Sequence, residues 1–365
     1  PANFAGAFTS CTFAAAPVQV CRKRVLESEY LRAAAINSGN ANACTGATGI
    51  ANAERTCELV AVRLGVKPEE VAVSSTGRIG VQMPMATIER GIDLAAAALS
   101  DKGGPTAAEA IMTTDTVPKS VALQLEIGGK TVTIGAMTKG AGMIDPAMTV
   151  PHATMLCYIT TDVKADNALL RDMIGANVAD SFNRITVDGD MSTNDTVLCL
   201  CNGAGGVSVD ESDETALEAF KAALLAVSRA LARKIVGDGE KITKVVEVKV
   251  SGARDIAQAE KICRSIGNSL LVKSSWFCEH PNWGRLTDAA GYARTGLEYY
   301  KIDLDYDGVA VLKKGQPVAE NKPLWKKIVS QKTFTINMNL NLGDAEESIL
   351  AADLTEGYVN FNKGE

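Results

Sequence analysis

Strand-like and helical periodicities alternate along most of this 365-residue chain. That alternation restricts the fold to a mixed α/β or α+β layered architecture, because each element must bury its apolar face against another layer. Residues 51–64, ANAERTCELVAVRL, put Ala53, Cys57, Val60, Ala61 and Leu64 on one face at helical spacing, and Gly65 stands where a C-terminal cap belongs. A strand is predicted at Val71–Ser74, then a Ser75-Thr76-Gly77 turn, then a helix in PMATIERGIDLAAAAL with Pro84 suited to its first turn. VALQLEIGGKTVTIGAMTKG reads as a hairpin with Gly128-Gly129 between two alternating runs. The second half predicts a helix over 213–235, a strand over Lys244–Val250, a helix over 255–267 and a strand-rich C-terminal portion. Length and a 46% hydrophobic content suit two lobes, although composition marks no joint between them.

The composition narrows the chemistry. A net charge of -6 argues against nucleic acid or an anionic membrane as partner, since both reward clustered Lys and Arg. A small-molecule substrate is the expectation. The nine cysteines are scattered with no C-x-x-C pair, which suggests neither a zinc site nor a disulfide framework. Two histidines, His152 and His280, leave little material for a Ser-His-Asp triad or a histidine-rich metal centre. The expected location is cytoplasmic, or an organelle matrix in a eukaryote, with an N-terminus that reads as truncated inside a domain.

Four tracts combine glycine with small polar residues: NSGNANACTG at 37–46, SSTGRIG at 74–80, IMTTDT at 111–116 and DGDMSTNDT at 188–196. Each alone reads as a hydrogen-bonded turn, and four together point to a polar pocket. DGDMSTNDT lacks the EF-hand glycine and glutamate, and the glycine runs lack the P-loop spacing, so neither a metal nor a nucleotide is expected. The tract KGAGMIDPAMTVPHATML, residues 139–156, contains an Ala153-Thr154 bond. A threonine freed at a new N-terminus carries an α-amine beside its hydroxyl, and so can be both nucleophile and base. The plain alternative is a loop-to-helix junction with Thr154 as its cap, and His152 is a second candidate base.

In their order, these tracts resemble the ornithine acetyltransferase family, the bifunctional glutamate N-acetyltransferases of arginine biosynthesis. The resemblance runs through NSGNANACTG, SSTGRIG, AIMTTDTVPK, KGAGMI with ATML, SFNRITVDGDMSTNDT, GDGEKITKVVEVKV, NSLLVKSSWFCEHPNWGR and DLTEGYVNFN, spanning residues 5–362. It implies a layered αββα sandwich of the ornithine acetyltransferase/DmpA-like type with a second, smaller α/β lobe. It implies transfer of acetyl from N2-acetyl-L-ornithine to L-glutamate, with acetyl-CoA as a second donor in many members and no resident cofactor. It also implies self-cleavage into chains 1–153 and 154–365, which associate as an α2β2 heterotetramer.

Carried residue by residue, the resemblance makes Thr154 the nucleophile and Ala153-Thr154 the cleaved bond. Thr76 and Gly77 become the oxyanion hole. Thr113, Lys139, Glu240 and Asn362 become substrate contacts, with Thr114 an alternative to Thr113, Lys139 suited to the shared α-carboxylate and Glu240 to the ornithine amine. Two departures stand out. Thr149, Val150, Pro151 and His152 are four extra residues before Ala153 relative to the family pattern, which lengthens the loop and makes Thr149 a rival nucleophile. A C-terminal threonine of the pattern has no counterpart before Glu365. A hydrolase of the same chemistry and a silent metabolite-binding protein are the competing readings.

Overall fold

The computed structural model describes residues 1–149 and 155–364. The chain divides into two compact units, Pro1–Asn183 with Met191–Ile235, and Arg184–Asp190 with Val236–Glu365.

The first unit begins with β1 (Asn3–Thr9), α1 (Ala16–Glu27), β2 (Ala33–Asn40), α2 (Gly46–Leu64) and β3 (Val71–Arg78). It continues with α3 (Met85–Ala97), α4 (Gly104–Ala110), β4 (Lys119–Ile127), β5 (Lys130–Lys139), β6 (Met148–Thr149), β7 (Leu156–Thr161), β8 (Val163–Lys164) and α5 (Asn167–Ala179). After β9 (Ile185–Thr186), which belongs to the second unit, come β10 (Thr196–Cys201), β11 (Val207–Ser208) and the long helix α6 (Glu214–Gly237).

Six strands form one sheet in the order β4-β5-β7-β10-β1-β6. Strands from the two sides of position 153 therefore interleave, since β7 and β10 lie between β5 and β1. Phe4 and Phe8 of β1, Leu156 and Tyr158 of β7 and Leu198 of β10 share one core with α1, α2 and the parallel pair β2-β3. The predicted face of α2 is the buried one: Ala53, Cys57, Val60 and Ala61 are all buried, and Gly65 ends the helix at φ 65°. The β4-β5 hairpin turns through Gly128 and Gly129, whose φ values of 57° and 76° are those a two-residue type I′ turn requires.

The second unit holds a seven-stranded sheet in the order β15-β14-β13-β16-β12-β17-β9. Its remaining strands are β12 (Val245–Ala253), β13 (Asp303–Tyr306), β14 (Val309–Lys313), β15 (Gln316–Pro317), β16 (Thr333–Asn339) and β17 (Ala345–Ala352). Its helices are α7 (Ile256–Gly267), α8 (Leu270–Phe277), α9 (Trp283–Tyr292), α10 (Lys322–Val329) and α11 (Glu356–Phe361). The core packs Val246, Val248 and Val250 of β12 with Ile262, Cys263 and Ile266 of α7, so the period of two in the strand meets the period of 3.6 in the helix. The tract FCEHPNWGRL links α8 to α9. Among the described residues, no helix is long and apolar enough to cross a membrane.

Candidate active site

In the first unit the site is built on the end of β3. Parallel pairing sets Ser38 of β2 beside Thr76, and Gly39 beside Gly77, with a register shift at Asn40. Gly77 sits at φ 128°, and a Cβ there would lie 2.3 Å from the carbonyl carbon of Gly39. No other residue fits that closeness or that dihedral without moving the backbone. Asn194, from the DGDMSTNDT tract, clamps this strand end: its buried Nδ2 donates to the carbonyls of Ala41, at 2.6 Å, and Ser75, at 2.7 Å. Ser75 in turn donates to Asn37 Oδ1 at 2.6 Å.

Lys139 is the last residue of β5 and pairs with Leu156 of β7. Its Nζ donates to Thr76 Oγ1 at 3.2 Å, although the two residues are 63 positions apart. Behind it lies Asp115, whose side chain is inaccessible to solvent, 4.0 Å from Lys139 and 2.6 Å from Lys119 Nζ. The same carboxylate accepts the backbone N–H of Gly140 at 2.7 Å and of Thr113 at 3.2 Å. Burial alone would raise the pKa of Asp115, but the charges of Lys139 and Lys119 and the Gly140 N–H outweigh it and hold the carboxyl below its usual value. Asp115 thus ties its own tract, IMTTDT, to KGAG, and through Lys139 to Thr76 of SSTGRIG. Thr113 is exposed and Thr114 half-buried, so both threonines of the tract remain accessible.

A second buried carboxyl, Asp195, precedes β10. It is 2% exposed, and burial pushes it well above the usual carboxylate range, against the hydroxyls of Ser192 and Thr9 and the charge of Lys139.

In the second unit, Glu240 and Asn362 come together although they are 122 positions apart: Asn362 Nδ2 donates to Glu240 Oε2 at 3.1 Å. The loop bearing Glu240 and the C-terminal helix are tied by Thr355, which caps α11 by accepting from Tyr358 N at 3.0 Å and donates to Lys241 O at 2.8 Å. Tyr358 OH lies 3.3 Å from Asp188 Oδ2, and burial and that carboxylate push its hydroxyl above the ordinary tyrosine range.

Of the predicted residues, Thr76, Lys139 and the Thr113 backbone therefore gather around Asp115, with Gly77 following Thr76, and Glu240 meets Asn362. Val150, Pro151, His152, Ala153 and Thr154 lie outside the described residues. Thr149, the rival nucleophile, is placed in β6, its backbone paired with Phe8. Asp115, Lys119, Asn194 and Asp195 were not singled out by the sequence. Their signal lay inside tracts already marked as polar, where a carboxylate or amide looks like turn chemistry until its burial is known.

An ArgJ family model matches residues 1–364. The arginine biosynthesis bifunctional protein ArgJ of Symbiobacterium thermophilum is 45% identical over 99% of this chain and 89% of its own length. The protein of the same description from Geobacter sulfurreducens is 42% identical, over 99% and 91% respectively. Among solved structures, the ArgJ bifunctional protein of Bacillus halodurans aligns with a TM-score of 0.55 at 31% identity, covering 57% of this chain and 98% of that one. The family model and these relatives define an acetyltransferase of arginine biosynthesis, with which the fold agrees. The chain belongs to the ArgJ family.

Proposed function

We propose that this chain transfers the acetyl group of N2-acetyl-L-ornithine to L-glutamate through an acetyl ester on Thr154, which is exposed when the Ala153-Thr154 bond is cut. The observation that carries this reading is the bond from Lys139 Nζ to Thr76 Oγ1, beside the point where β7 starts two residues after position 154.

Because Thr76 accepts from Lys139, its own hydroxyl proton is left to donate, and a donor beside an ammonium is suited to an oxyanion. Gly77, where a Cβ would collide with the Gly39 backbone, would supply the second donor. The acetyl carbonyl carbon would be attacked by Thr154 Oγ while the α-amine takes the hydroxyl proton. The resulting tetrahedral oxyanion collapses, the ornithine amine leaves with that proton, and glutamate then takes the acetyl group by the reverse sequence. Lys139 suits the α-carboxylate common to both amino acids, and Thr113 a neighbouring polar group. Glu240, held by Asn362, suits the ornithine side-chain amine. Base and nucleophile come from one residue, so the scheme uses no metal and no resident cofactor. Acetyl-CoA enters as a second acetyl donor for glutamate, and the two fragments associate as α2β2 in the cytoplasm or an organelle matrix.

The test is a denaturing gel with mass spectrometry. Wild-type protein should run as two fragments, the second beginning at Thr154 and gaining one acetyl group with acetylornithine. A single band of full length with no acetylated threonine overturns the reading, and a second fragment beginning at Thr149 reassigns the nucleophile. Acetate release independent of glutamate would make the enzyme a hydrolase.

A further inference from the structure

Asn194 has no role in the scheme above, yet its side chain serves the strand end that carries Thr76 and Gly77. It is 6% exposed, and its Nδ2 lies 2.6 Å from Ala41 O and 2.7 Å from Ser75 O. Thr193 Oγ1 donates to Asn194 Oδ1 at 2.6 Å, which sets the end of the amide that faces those carbonyls. A peptide unit is planar, so holding the Ser75 carbonyl also orients the Thr76 N–H and, through Thr76, the next unit, whose N–H belongs to Gly77. Ala41 follows the register shift at Asn40, and its own N–H donates to Arg78 O at 2.9 Å. Asn194 therefore bridges β2 and β3 where their ladder is irregular. It is held from the other side as well. Asn194 O accepts from Thr196 Oγ1 at 3.0 Å, and Thr196 donates its N–H to Met155 O and pairs with Leu156 of β7. One amide thus sets the Thr76-Gly77 strand end against β7.

We propose that Asn194 is a positioning residue that holds the Thr76 and Gly77 donors in the geometry a tetrahedral oxyanion needs, and so acts on kcat rather than on substrate binding. This rests on the oxyanion and acyl-enzyme reading above. Donors stabilise a developing negative charge most when their positions are set beforehand, because a donor that must swing into place loses part of its interaction to reorganisation. The end of a strand is where the ladder restrains the backbone least. Asn194 supplies the missing restraint through two buried hydrogen bonds, and it does so without touching substrate or the reacting atoms. In the reading above, Asn194 falls in the second fragment and Ala41 and Ser75 in the first. The clamp therefore also joins the two fragments beside the donors.

The test is steady-state kinetics of Asn194→Ala with N2-acetylornithine and with its N2-thioacetyl analogue, glutamate being the acceptor. Misplaced donors should lower kcat for acetylornithine about 100-fold with KM unchanged. Sulfur is larger than oxygen and a weaker acceptor, so wild type should prefer the oxygen substrate. The ratio of kcat/KM for the two substrates should fall about ten-fold in the variant, whose donors no longer favour oxygen. An amide that only satisfies buried carbonyls would change stability and leave that ratio where it is. An unchanged ratio, or a loss carried by KM, therefore overturns the inference. Should Asn194→Ala remain uncut or fail to fold, Thr193→Val decides, since it keeps the amide and removes only the hydroxyl that orients it. That variant should lower the same ratio several-fold, and a ratio equal to wild type overturns the inference. Failure of the underlying reading looks different: wild type that is never cut or acetylated, or that shows no preference for oxygen, removes the acyl-enzyme or its oxyanion hole whatever Asn194 does.

Discussion

Lys139 Nζ and Thr76 Oγ1 lie 3.2 Å apart, joining the end of β5 to the end of β3. Neither side chain could reach the other without the sheet that carries β5 and the β2-β3 pair that carries Thr76, so this contact reports the assembled core. Lys139 is also within 4.0 Å of Asp115, which places a cation between a donor-rich strand end and a buried counter-charge.

Replacing Lys139 by Ala should weaken both substrates if, as proposed, Lys139 is the partner of their shared α-carboxylate. Hydrogen bonds to charged groups contribute about 2 kcal/mol, or roughly 30-fold in kcat/KM. Separate KM measurements for acetylornithine and glutamate check this, and an effect confined to one substrate contradicts the assignment.

Gly77→Ala combines a strained dihedral at φ 128° with a Cβ placed 2.3 Å from the Gly39 carbonyl carbon. The strand end must shift, at a cost of about 1–3 kcal/mol. If the Gly77 N–H is an oxyanion donor, kcat falls roughly 100-fold to 1000-fold as well. Denaturant unfolding and steady-state kinetics on the same preparation separate the two losses.

Asp115 gives a pH signature. Its folded pKa lies below the unfolded value of about 3.9, so the folded state favours the ionised form. That stability is fully present above the unfolded pKa and is lost as pH falls through the folded one. Asp115→Asn should lose about 3 kcal/mol near neutral pH, because Lys119 is left buried without its charge partner. The gap between wild type and variant should narrow below about pH 4, as measured by urea unfolding across that range. A gap of constant size would show that the pair contributes through packing instead.

Glu240→Gln should discriminate between the two substrates. It removes a negative charge suited to the ornithine amine while keeping an oxygen for Asn362, which sits 3.1 Å away. KM for acetylornithine should rise about ten-fold, the equivalent of a 1.4 kcal/mol charge-assisted contact, with the glutamate KM unchanged. Equal changes for both substrates would remove Glu240 from side-chain recognition.

Much of this molecule is written in short stretches of its sequence. The buried face of α2, the αL cap at Gly65 and the Gly128-Gly129 hairpin follow from periodicity and from the few residues that tolerate positive φ, so neighbours along the chain suffice to read them. The polar tracts were equally visible, and their order carried the family.

What each polar residue does was decided only by folding. Asp115 becomes a hub because a turn brings Gly140 and Lys139, more than twenty positions away, onto a carboxylate that burial would otherwise neutralise. Asn194 looked like a turn residue until β10 carried it 153 positions back to Ala41 and 119 back to Ser75, where its two N–H groups serve carbonyls that water cannot reach. The physical reason is the same for both. Local propensity depends on bonds within a few residues, whereas the cost of burying a charge or an amide depends on which distant partners the tertiary structure places within hydrogen-bonding distance.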